Sequence, residues 1–336
     1  MRLGSIGLGR WGSQLATTAL AAGSTIEACF SPTLQSREAF AAAFDCSPAE
    51  SLEQLLSDPR IEGVLIASPN ASHTNIVCDA AVAGKHILVE KPLALSVEDA
   101  VGSVAAAREA NVVLQTGHSR RRVDAVRKLK GLVDADDLGV VLQAEATTTR
   151  HSPNLEWFSG WRHDPAEAPL GGMTAIGVHM LDNLHYLLGP SAKVFATSRK
   201  ALPGQGLDDA TVLVIEFETG ALAYLGVSVR VAPSFVLKLM GTEATAWTDD
   251  PRTMKAGASS RLWRQATADD SAIQLGTVAN DPLAEQFTEF VECSRTGAEP
   301  ETGGKAGLAV VAVMEAAIES NRIAVAVPVP DVGQWD

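Results

Sequence analysis

Leu3-Gly4-Ser5-Ile6-Gly7-Leu8-Gly9-Arg10-Trp11-Gly12, followed by the alanine-rich run 13–22, is the stretch that decides the fold. It has the order of a short strand, a glycine-rich turn and a helix, as in the Gly-x-Gly-x-x-Gly dinucleotide fingerprint. Gly7 permits the tight turn, Gly9 lets the backbone approach a pyrophosphate, and Gly12 allows close packing of helix on strand. The helix N-terminus favours phosphate charge. We therefore predict that Gly7, Gly9, Arg10, Trp11 and Gly12 bind a dinucleotide.

Strands and helices alternate through the segment that follows. Apolar runs at 26–30, 64–67, 87–89 and 112–115 are typical of buried parallel strands, and helical segments lie between them. Such alternation over about 120 residues predicts an α/β fold with a doubly wound parallel sheet, whose ligand lies at the carboxyl ends of the strands. We assign residues 1–120 to an NAD(P)-binding Rossmann domain.

Beyond residue 120 the pattern changes to extended runs, at 140–149, 193–199, 210–218, 221–230 and 235–240. Thr219-Gly220 is a compact hairpin signal between two of them. A helical segment at 173–188 precedes most of these runs. We predict that residues 121–336 form an α+β substrate domain with an antiparallel sheet, and that the helical segments 283–294 and 304–321 pack back on other elements.

Composition narrows the class of protein. The chain has 336 residues, 46% of them hydrophobic, and a formal net charge of −13, which argues against nucleic acid or an anionic membrane as partner. We expect the basic run Arg120-Arg121-Arg122 to be a helix start with a solvated face. The scattered cysteines predict neither disulfides nor structural zinc. Arg10 and Gln14 interrupt the N-terminal apolar run, so we expect a cytoplasmic, soluble protein rather than a secreted one.

The end of the second strand bears on the choice between NAD and NADP. An NAD site usually carries an Asp or Glu there for the ribose 2′-hydroxyl, but this chain has Ser31, 19 residues after Gly12. Ser31, Thr33 and Arg37 are candidates to contact a 2′-phosphate, which favours NADP. The alternative is that Ser31-Pro32 only makes the turn, that Arg37 is solvated, and that the enzyme accepts both dinucleotides.

The turn after the strand 64–67 supplies further candidate cofactor-binding residues. Ser68-Pro69-Asn70 follows the strand 64–67, where Pro69 suits a rigid ledge under nicotinamide or ribose and Asn70 is a hydrogen-bonding candidate. For His73, capping or packing competes with cofactor binding.

Glu90-Lys91-Pro92 follows the strand 87–89. A partly desolvated lysine near a cationic nicotinamide has a lowered pKa and can polarise a reacting oxygen, while Glu90 steadies its charge. The alternative for Lys91 is a surface lysine before a turn.

The helical segment 173–188 carries His179, Asp182 and His185. His179 and Asp182 share one helical face, and a histidine oriented by a carboxylate suits proton transfer near neutral pH. His-x-x-Asp-x-x-His is also a candidate metal site, but the three side chains fan widely, so we predict no metal. The remaining alternative is that both histidines belong to the core.

These residues together resemble the glucose-fructose oxidoreductase, inositol dehydrogenase and MocA family. The resemblance rests on 7–12, 69–73, 84–92, Trp161-Arg162, 171–182 and the tail segments 287–295 and 303–321, and so covers nearly the whole chain. It implies a Rossmann domain, a C-terminal domain with a large open antiparallel sheet that often forms the oligomer interface, and hydride transfer at a carbinol carbon. It also implies Lys91 and His179 as catalytic residues and places Arg162 near the substrate, although Arg162 also suits a structural ion pair.

One position departs from the family. Many of its sugar and cyclitol dehydrogenases have an aspartate four residues before the histidine, where this chain has Ala175. The absence of this aspartate favours a less polar alcohol, such as a cyclic diol, as the substrate. Asp182 is then the candidate to replace the missing carboxylate and to bind the substrate.

We thus predict an NAD(P)-dependent oxidoreductase acting on a sugar, cyclitol or cyclic diol, assembled as a homo-oligomer, a dimer or tetramer, through the C-terminal sheet. The alternatives are a non-catalytic NAD(P)-binding regulator and a metal-assisted lyase or hydrolase that uses His179 to His185.

Overall fold

The computed structural model describes residues 1–151, 160–202, 206–249, 260–266, 270–331 and 333. The chain divides into two compact units. The first consists of Met1–His118 and Leu283–Val311, and the second of Ser119–Pro282 and Ala312–Asp336. Among the residues described, no helix is both long and apolar enough to cross a membrane.

The strands are β1 Arg2–Ile6, β2 Thr25–Phe30, β3 Ser47–Pro48, β4 Gly63–Ile66, β5 His86–Val89, β6 Leu114–Thr116, β7 Val141–His151, β8 Ser191–Arg199, β9 Ala210–Phe217, β10 Leu222–Ser228, β11 Arg230–Gly241, β12 Thr245–Thr248, β13 Leu262–Gln265, β14 Ile273–Leu275 and β15 Val327–Pro328. The α-helices are α1 Arg10–Ala21, α2 Leu34–Phe44, α3 Leu52–Ser57, α4 His73–Val82, α5 Val97–Glu109, α6 Asp124–Asp134, α7 Val178–Leu188, α8 Pro282–Thr296 and α9 Gly304–Ile323.

The first unit is built on a six-stranded sheet in the order β3-β2-β1-β4-β5-β6. All of its strand pairings are parallel, because a helix follows nearly every strand and returns the chain to the same edge. Strands β4 and β5 are almost wholly buried, as continuous runs of Val, Ile and Leu predict. The doubly wound parallel sheet is therefore confirmed.

Helix α8 completes the core of this first unit. Leu283, Phe287, Phe290 and Cys293 recur at helical spacing and pack in one apolar cluster with residues from β1, α1 and β2. A polar contact fixes the register of the helix, because Gln115 Nε2 on β6 donates to Glu289 Oε2 at 2.6 Å. A segment from the far end of the sequence thus belongs to the unit that begins at Met1.

The second unit contains a nine-stranded sheet in the order β14-β13-β12-β11-β7-β10-β9-β8-β15. Seven of its eight pairings are antiparallel, whereas β7 and β10 are parallel. Strands β9 and β10 form the expected hairpin, in which Gly220 has a φ of 85°. The α+β prediction is confirmed, except that the sheet is mixed at its centre.

The helical segment 173–188 is not one regular α-helix. Its first five residues, Met173–Gly177, form a π-helix that continues into α7. Glycines explain the close packing of this segment on β10, since a Cβ at Gly172 would lie 3.0 Å from Val227 Cγ1 and one at Gly177 would lie 2.9 Å from Val227 Cγ2. The angular spacing of an α-helix therefore applies only from Val178 onward, and π segments often occur at functional sites.

The prediction of a solvated basic face at Arg120–Arg122 was wrong. These residues lie in a short 3-10 helix, Ser119–Arg122, in which Arg121 is 8% exposed and Arg122 1% exposed. Charge runs usually lie at the surface, but Arg121 has a buried carboxylate partner, described below.

Candidate functional site

The glycine-rich turn after β1 has the sterics that its sequence predicts. Gly7 has a φ of 86°, and a Cβ there would collide with the backbone of Ala67 and Ser68. A Cβ at Gly12 would collide with the carbonyl oxygen of Gly7. At Gly9, by contrast, an added Cβ would meet nothing within 4 Å, so the backbone there faces open space. The first and third glycines are needed to build the turn, and the second leaves room for a ligand.

The N-terminus of α1 suits an anionic ligand. Gly9 is its N-cap, and within the described chain no side chain caps it and no acidic residue stands in its first turn. The Nε1–H of Trp11 is buried and has no hydrogen-bond acceptor among the described residues. Helix amides and the positive end of the helix dipole thus lie beside Gly9, where a pyrophosphate fits.

The end of β2 is held by Arg37. Its guanidinium Nη1 donates to the carbonyl oxygens of Ser31 at 3.1 Å and Glu50 at 3.5 Å, and its charge lies 5.9 Å from the centre of the Phe30 ring. Thr33 is exposed and donates to Ser36 Oγ. The Arg37 side chain is therefore not simply solvated, because its Nη1 group is used to bind the backbone of the loop after β2.

The nearby acid Glu27 is engaged elsewhere. Its Oε1 accepts from Thr25 Oγ1 at 2.8 Å, and its Oε2 lies 3.7 Å from Arg60 Nη1. Ser31 stands in the place where NAD sites usually carry a carboxylate, but it is 9% exposed and its Oγ donates to Thr33 O at 3.5 Å, so only the Thr33 hydroxyl is exposed there.

His73 joins the turns that follow β4 and β5. Its ring is fully buried, with Nδ1 2.8 Å from Pro92 O and Nε2 3.2 Å from Ser68 O. The neutral ring has one N–H, which the shorter contact assigns to Nδ1 as donor to Pro92 O. Burial lowers the pKa of His73 to about 4, against the two carbonyl contacts and with a further contribution from the charge of Lys91. His73 is thus a neutral structural link, as the packing alternative predicts.

The turn after β4 is a short 3-10 helix, Asn70–Ser72, that begins after Pro69. Ser72 Oγ donates within this turn to Ser68 Oγ or Pro69 O, both at 2.7 Å. Asn70 is 8% exposed. Pro69 has a φ of −57°, as its ring requires.

Lys91 stands two residues beyond the end of β5 and is half-buried. The Lys91–Pro92 peptide bond is cis. Glu90 is 6% exposed, and a Cβ at Gly117 would lie 2.8 Å from Glu90 Oε1, so the carboxyl group reaches the turn after β6. The backbone on both sides of Lys91 is therefore fixed, by Glu90 on one side and by the His73 contact to Pro92 on the other.

These strand ends place the predicted residues of the first unit at one edge of the sheet. Gly7, Ser31, Ser68 and Glu90 follow β1, β2, β4 and β5, which are neighbours in the sheet and run parallel. The carboxyl edge of such a sheet is where ligands bind in this class of fold.

In the second unit, Asp182 pairs with Arg121. Arg121 Nη2 donates to Asp182 Oδ1 at 2.5 Å and Nε donates to Oδ2 at 3.0 Å, and Asp182 is fully buried. The Arg121 guanidinium also lies 5.0 Å from the centre of the Tyr186 ring. This bidentate geometry occupies both carboxylate oxygens, so Asp182 acts on the position of α7 through Arg121.

His179 is half-buried in the first turn of α7, and Ala175 lies four residues before it. Ala175 and Ile176 pack against an apolar cluster of Ala168, Leu207 and Val229. Both the side chain at position 175 and the residues around it are thus apolar.

Asn183 is a candidate that the sequence reasoning missed. It is fully buried one helical turn after His179, and its Oδ1 has no hydrogen-bond partner among the described residues. The spacing of four residues from His179 was the available signal.

Arg162 is exposed in a 3-10 helix, Gly160–His163, and its guanidinium lies 4.1 Å from the centre of the Trp161 ring. His185 Nε2 lies 2.8 Å from Ser191 Oγ. In the part of the chain that the structure describes, no group of three His, Cys, Asp or Glu residues could hold a metal ion.

Comparison with known proteins gives matches in both units. A family model described as "Oxidoreductase family, NAD-binding Rossmann fold" matches residues 1–118, and one described as "GFO/IDH/MocA C-terminal domain" matches residues 126–247. The 1,5-anhydro-D-fructose reductase of Ensifer adhaerens is 35% identical over 175 residues, which is 52% of this chain and 52% of that protein. The match to this relative therefore spans about half its length.

Other relatives match over nearly the whole chain. The rhizopine catabolism protein MocA of Rhizobium meliloti is 26% identical over 95% of this chain and 94% of its own. A crystal structure from Desulfitobacterium hafniense, of an oxidoreductase to which NADPH dependence has been ascribed, is 30% identical with a TM-score of 0.90, over 99% of this chain and 98% of that one.

Gly9→Ala and Gly12→Ala form a matched pair that separates binding from folding. We expect Gly9→Ala to keep the melting temperature within about 2 °C while weakening dinucleotide binding at least about tenfold, because its methyl group enters only the space beside the helix N-terminus. Gly12→Ala should lower the melting temperature by several degrees, because its Cβ collides with Gly7 O. Thermal unfolding and nucleotide fluorescence titration measure both. Equal binding by Gly9→Ala and the unmodified chain would contradict the assignment.

His73 predicts a specific pH dependence of stability. Its folded pKa of about 4 lies below the ordinary value of 6.5, so only the unfolded chain gains a proton between these limits. The free energy of unfolding should therefore fall as pH drops from about 6.5 to about 4, by roughly 3 kcal/mol from this group. Urea unfolding of His73→Asn should show a pH dependence smaller by that amount. An identical pH dependence in both proteins would refute the buried neutral state.

Proposed function

Because the chain belongs to the glucose-fructose oxidoreductase, inositol dehydrogenase and MocA family, we propose that it is an NAD(P)-dependent oxidoreductase acting on a carbinol or ketone carbon. The substrate class is a sugar, a cyclitol or a cyclic diol. The observation that carries the proposal is the position of Lys91, fixed just beyond β5 at the carboxyl edge that also carries the glycine turn. Residues 1–120 bind the dinucleotide, and residues 121–336 bind substrate and form the oligomer.

The dinucleotide, when bound, accepts or supplies the hydride. Gly7, Gly9 and Gly12 shape its turn, and Arg10, Trp11 and the first amides of α1 hold the pyrophosphate. Ser68, Pro69 and Asn70 form the ledge beneath the ribose and nicotinamide, and His73 keeps that ledge in register with Lys91.

In the first unit, the Lys91 ammonium donates a hydrogen bond to the substrate oxygen and stabilises the negative charge that develops on it. Half-burial strengthens this interaction, because a less polar environment weakens screening by water. The Glu90 carboxyl group beside it balances the charge of the ammonium.

In the second unit, His179 takes the hydroxyl proton during oxidation and returns it during reduction. The Arg121–Asp182 pair fixes the helix that carries it, so Asp182 is a positioning residue. Arg162, on its exposed 3-10 helix, is a candidate ligand for a polar edge of the substrate.

For the dinucleotide we propose a preference for NADP. The support is the pair of hydroxyl side chains Ser31 and Thr33 after β2 together with the Arg37 guanidinium, and the engagement of Glu27 by Thr25 and Arg60. Because Thr25 and Arg60 engage it, the Glu27 carboxylate is not available to bind the ribose hydroxyl or to repel a 2′-phosphate.

A non-catalytic NAD(P)-binding regulator is the second candidate, favoured by Ala175 and its apolar surroundings. It predicts tight dinucleotide binding without turnover of any polyol, diol or ketone. A metal-assisted reaction finds less support, because both Asp182 oxygens are already bound by Arg121.

The proposed oligomer uses the outer face of the nine-stranded sheet. Phe195, Val214 and Tyr224 lie side by side on β8, β9 and β10 and are each 38–46% exposed. The same row continues through Glu145 on β7 and Lys238 on β11. Adjacent exposed apolar side chains of this kind favour burial against another protein surface.

Lys91→Ala tests the catalytic role. We expect kcat to fall roughly a hundredfold or more, because the charge that stabilises the developing oxyanion is removed. NADPH and NADH dissociation constants, measured by fluorescence, should stay within about threefold, with NADPH the tighter ligand. Lys200→Ala, which removes an exposed lysine from the second unit, serves as the control. Unchanged turnover in Lys91→Ala would sink the assignment.

Val214→Lys tests the sheet face. We expect the unmodified chain to be a dimer or tetramer by size-exclusion chromatography with light scattering, and Val214→Lys to dissociate, because it places a charge in an apolar interface. Val82→Lys, at a residue 88% exposed in the first unit, is the matched control and should leave the mass unchanged. A monomeric unmodified protein contradicts the proposal.

A further inference from the structure

The turn before the π-helix has an unusual backbone. Leu170 and Gly171 have φ values of 57° and 55°, so two successive residues adopt the left-handed conformation. A leucine rarely does so, because its Cβ atom then comes too close to the following carbonyl oxygen. A residue in this conformation persists only where the surrounding structure holds it, and such residues cluster at functional sites. Leu170 is 6% exposed, and its neighbours therefore determine whether the turn keeps its shape.

A hydroxyl group on β9 binds this turn directly. Thr211, which is 1% exposed, donates from Oγ1 to the carbonyl oxygen of Leu170 at 2.9 Å. The same carbonyl oxygen accepts the N–H of Met173, the first residue of the π-helix, at 3.1 Å. The Leu170 carbonyl thus uses both of its lone pairs, and it joins β9 to the start of the π-helix.

Two residues beside Thr211 extend this network. Ser198 Oγ on β8 lies 2.7 Å from Thr211 Oγ1 and 2.7 Å from Asp208 Oδ2. Because Thr211 gives its hydroxyl hydrogen to Leu170, Ser198 gives its own to the Asp208 carboxylate, which can only accept. The backbone of Asp208 also lies against the turn, since a Cβ at Gly171 would collide with Asp208 O. Asp208 therefore contacts the turn through its own backbone and is tied to Thr211 through Ser198.

The loop before β9 touches two further elements. Leu207 packs in one apolar cluster with residues of the π-helix. A Cβ at Gly206 would lie 3.0 Å from the carbonyl oxygen of His163, so the loop also closely approaches the 3-10 helix that carries Arg162. One short loop thus lies against the helix of Arg162 and against the helical segment that continues to His179.

We propose that Thr211, Ser198 and Asp208 are positioning residues for the reaction. They hold Leu170 in its left-handed conformation, and this fixes the π-helix and, through it, the first turn of α7 that carries His179. The effect on catalysis rests on the function proposed above. The effect on the backbone of the π-helix does not depend on it.

Thr211→Val tests the role in catalysis, because it removes the hydroxyl group and keeps the shape of the side chain. Turnover is measured with NADP⁺ and with NAD⁺ on two probes, myo-inositol as a cyclitol and cis-1,2-cyclohexanediol as a cyclic diol. We expect kcat to fall at least about tenfold while KM changes less than about threefold, because a small misplacement of His179 slows proton transfer more than it weakens binding.

Two matched variants serve as controls. Thr211→Ser keeps the hydroxyl group and should restore most of kcat. Thr248→Val removes another buried hydroxyl from the same sheet, one that has no hydrogen-bond partner among the described residues, and should leave kcat unchanged. A loss of turnover in Thr211→Ser as large as that in Thr211→Val contradicts the role of the hydroxyl group.

Leu170→Gly separates positioning from a general loss of stability. In the Leu170→Gly background, Thr211→Val should lower kcat less than about threefold, because a glycine adopts the left-handed conformation without the steric cost of a Cβ atom. A role in stability alone predicts an equal fall in both backgrounds, and that result overturns the proposal. If Leu170→Gly does not fold, the separation rests on Thr211→Ser and on the unchanged KM.

Hydrogen exchange measured by mass spectrometry tests the backbone effect without turnover. We expect Thr211→Val to speed exchange of the amides in segment 173–177 at least about threefold, while Thr211→Ser and Thr248→Val exchange at the unmodified rate. Unchanged exchange in Thr211→Val, or faster exchange with unchanged kcat, overturns the proposal. If the unmodified protein turns over neither probe, that result counts against the proposed function, and the exchange rates still decide whether Thr211 holds the π-helix.

Discussion

The first unit depends on a steric constraint at the end of β1. The carbonyl oxygen of Gly7 occupies the space that a side chain at position 12 would need, and Gly7 itself lies against the backbone of Ala67 and Ser68. This contact brings α1 down onto the sheet and sets the turn of β1 beside the end of β4. His73 then joins this point to the next turn, because its ring contacts both Ser68 O and Pro92 O, and Pro92 directly follows Lys91. The absence of a side chain at Gly7 and Gly12 is thus what allows this turn to form.

The architecture of both units was predictable because its signals are local. Glycine spacing, continuous apolar strands and alternating strand patterns each depend on a few neighbouring residues. The family models and the strand order of the first sheet confirm the family assignment and the doubly wound sheet. The parallel pairing of β7 with β10 and the π-helix at Met173–Gly177 were not foreseen, because each depends on packing against residues distant in sequence, such as Val227.

The candidate site was less predictable for a related reason. Sequence spacing indicated that His179 and Asp182 share a face, but it could not reveal that Arg121, 61 residues earlier, binds the carboxylate. A buried charge has to be neutralised, and only the tertiary structure shows by which residue. Catalytic roles for Lys91 and His179 stay predictions.

The cofactor-binding unit is discontinuous along the chain. Its sheet comes from Met1–His118, but its core also needs α8. The unit extends into α9, where its boundary falls between Val311 and Ala312. Genetic exchange of this unit between relatives would therefore need three crossovers within the chain, with the last inside α9. That arrangement favours inheritance of both units together, so a change of substrate would evolve by point substitution more readily than by domain shuffling.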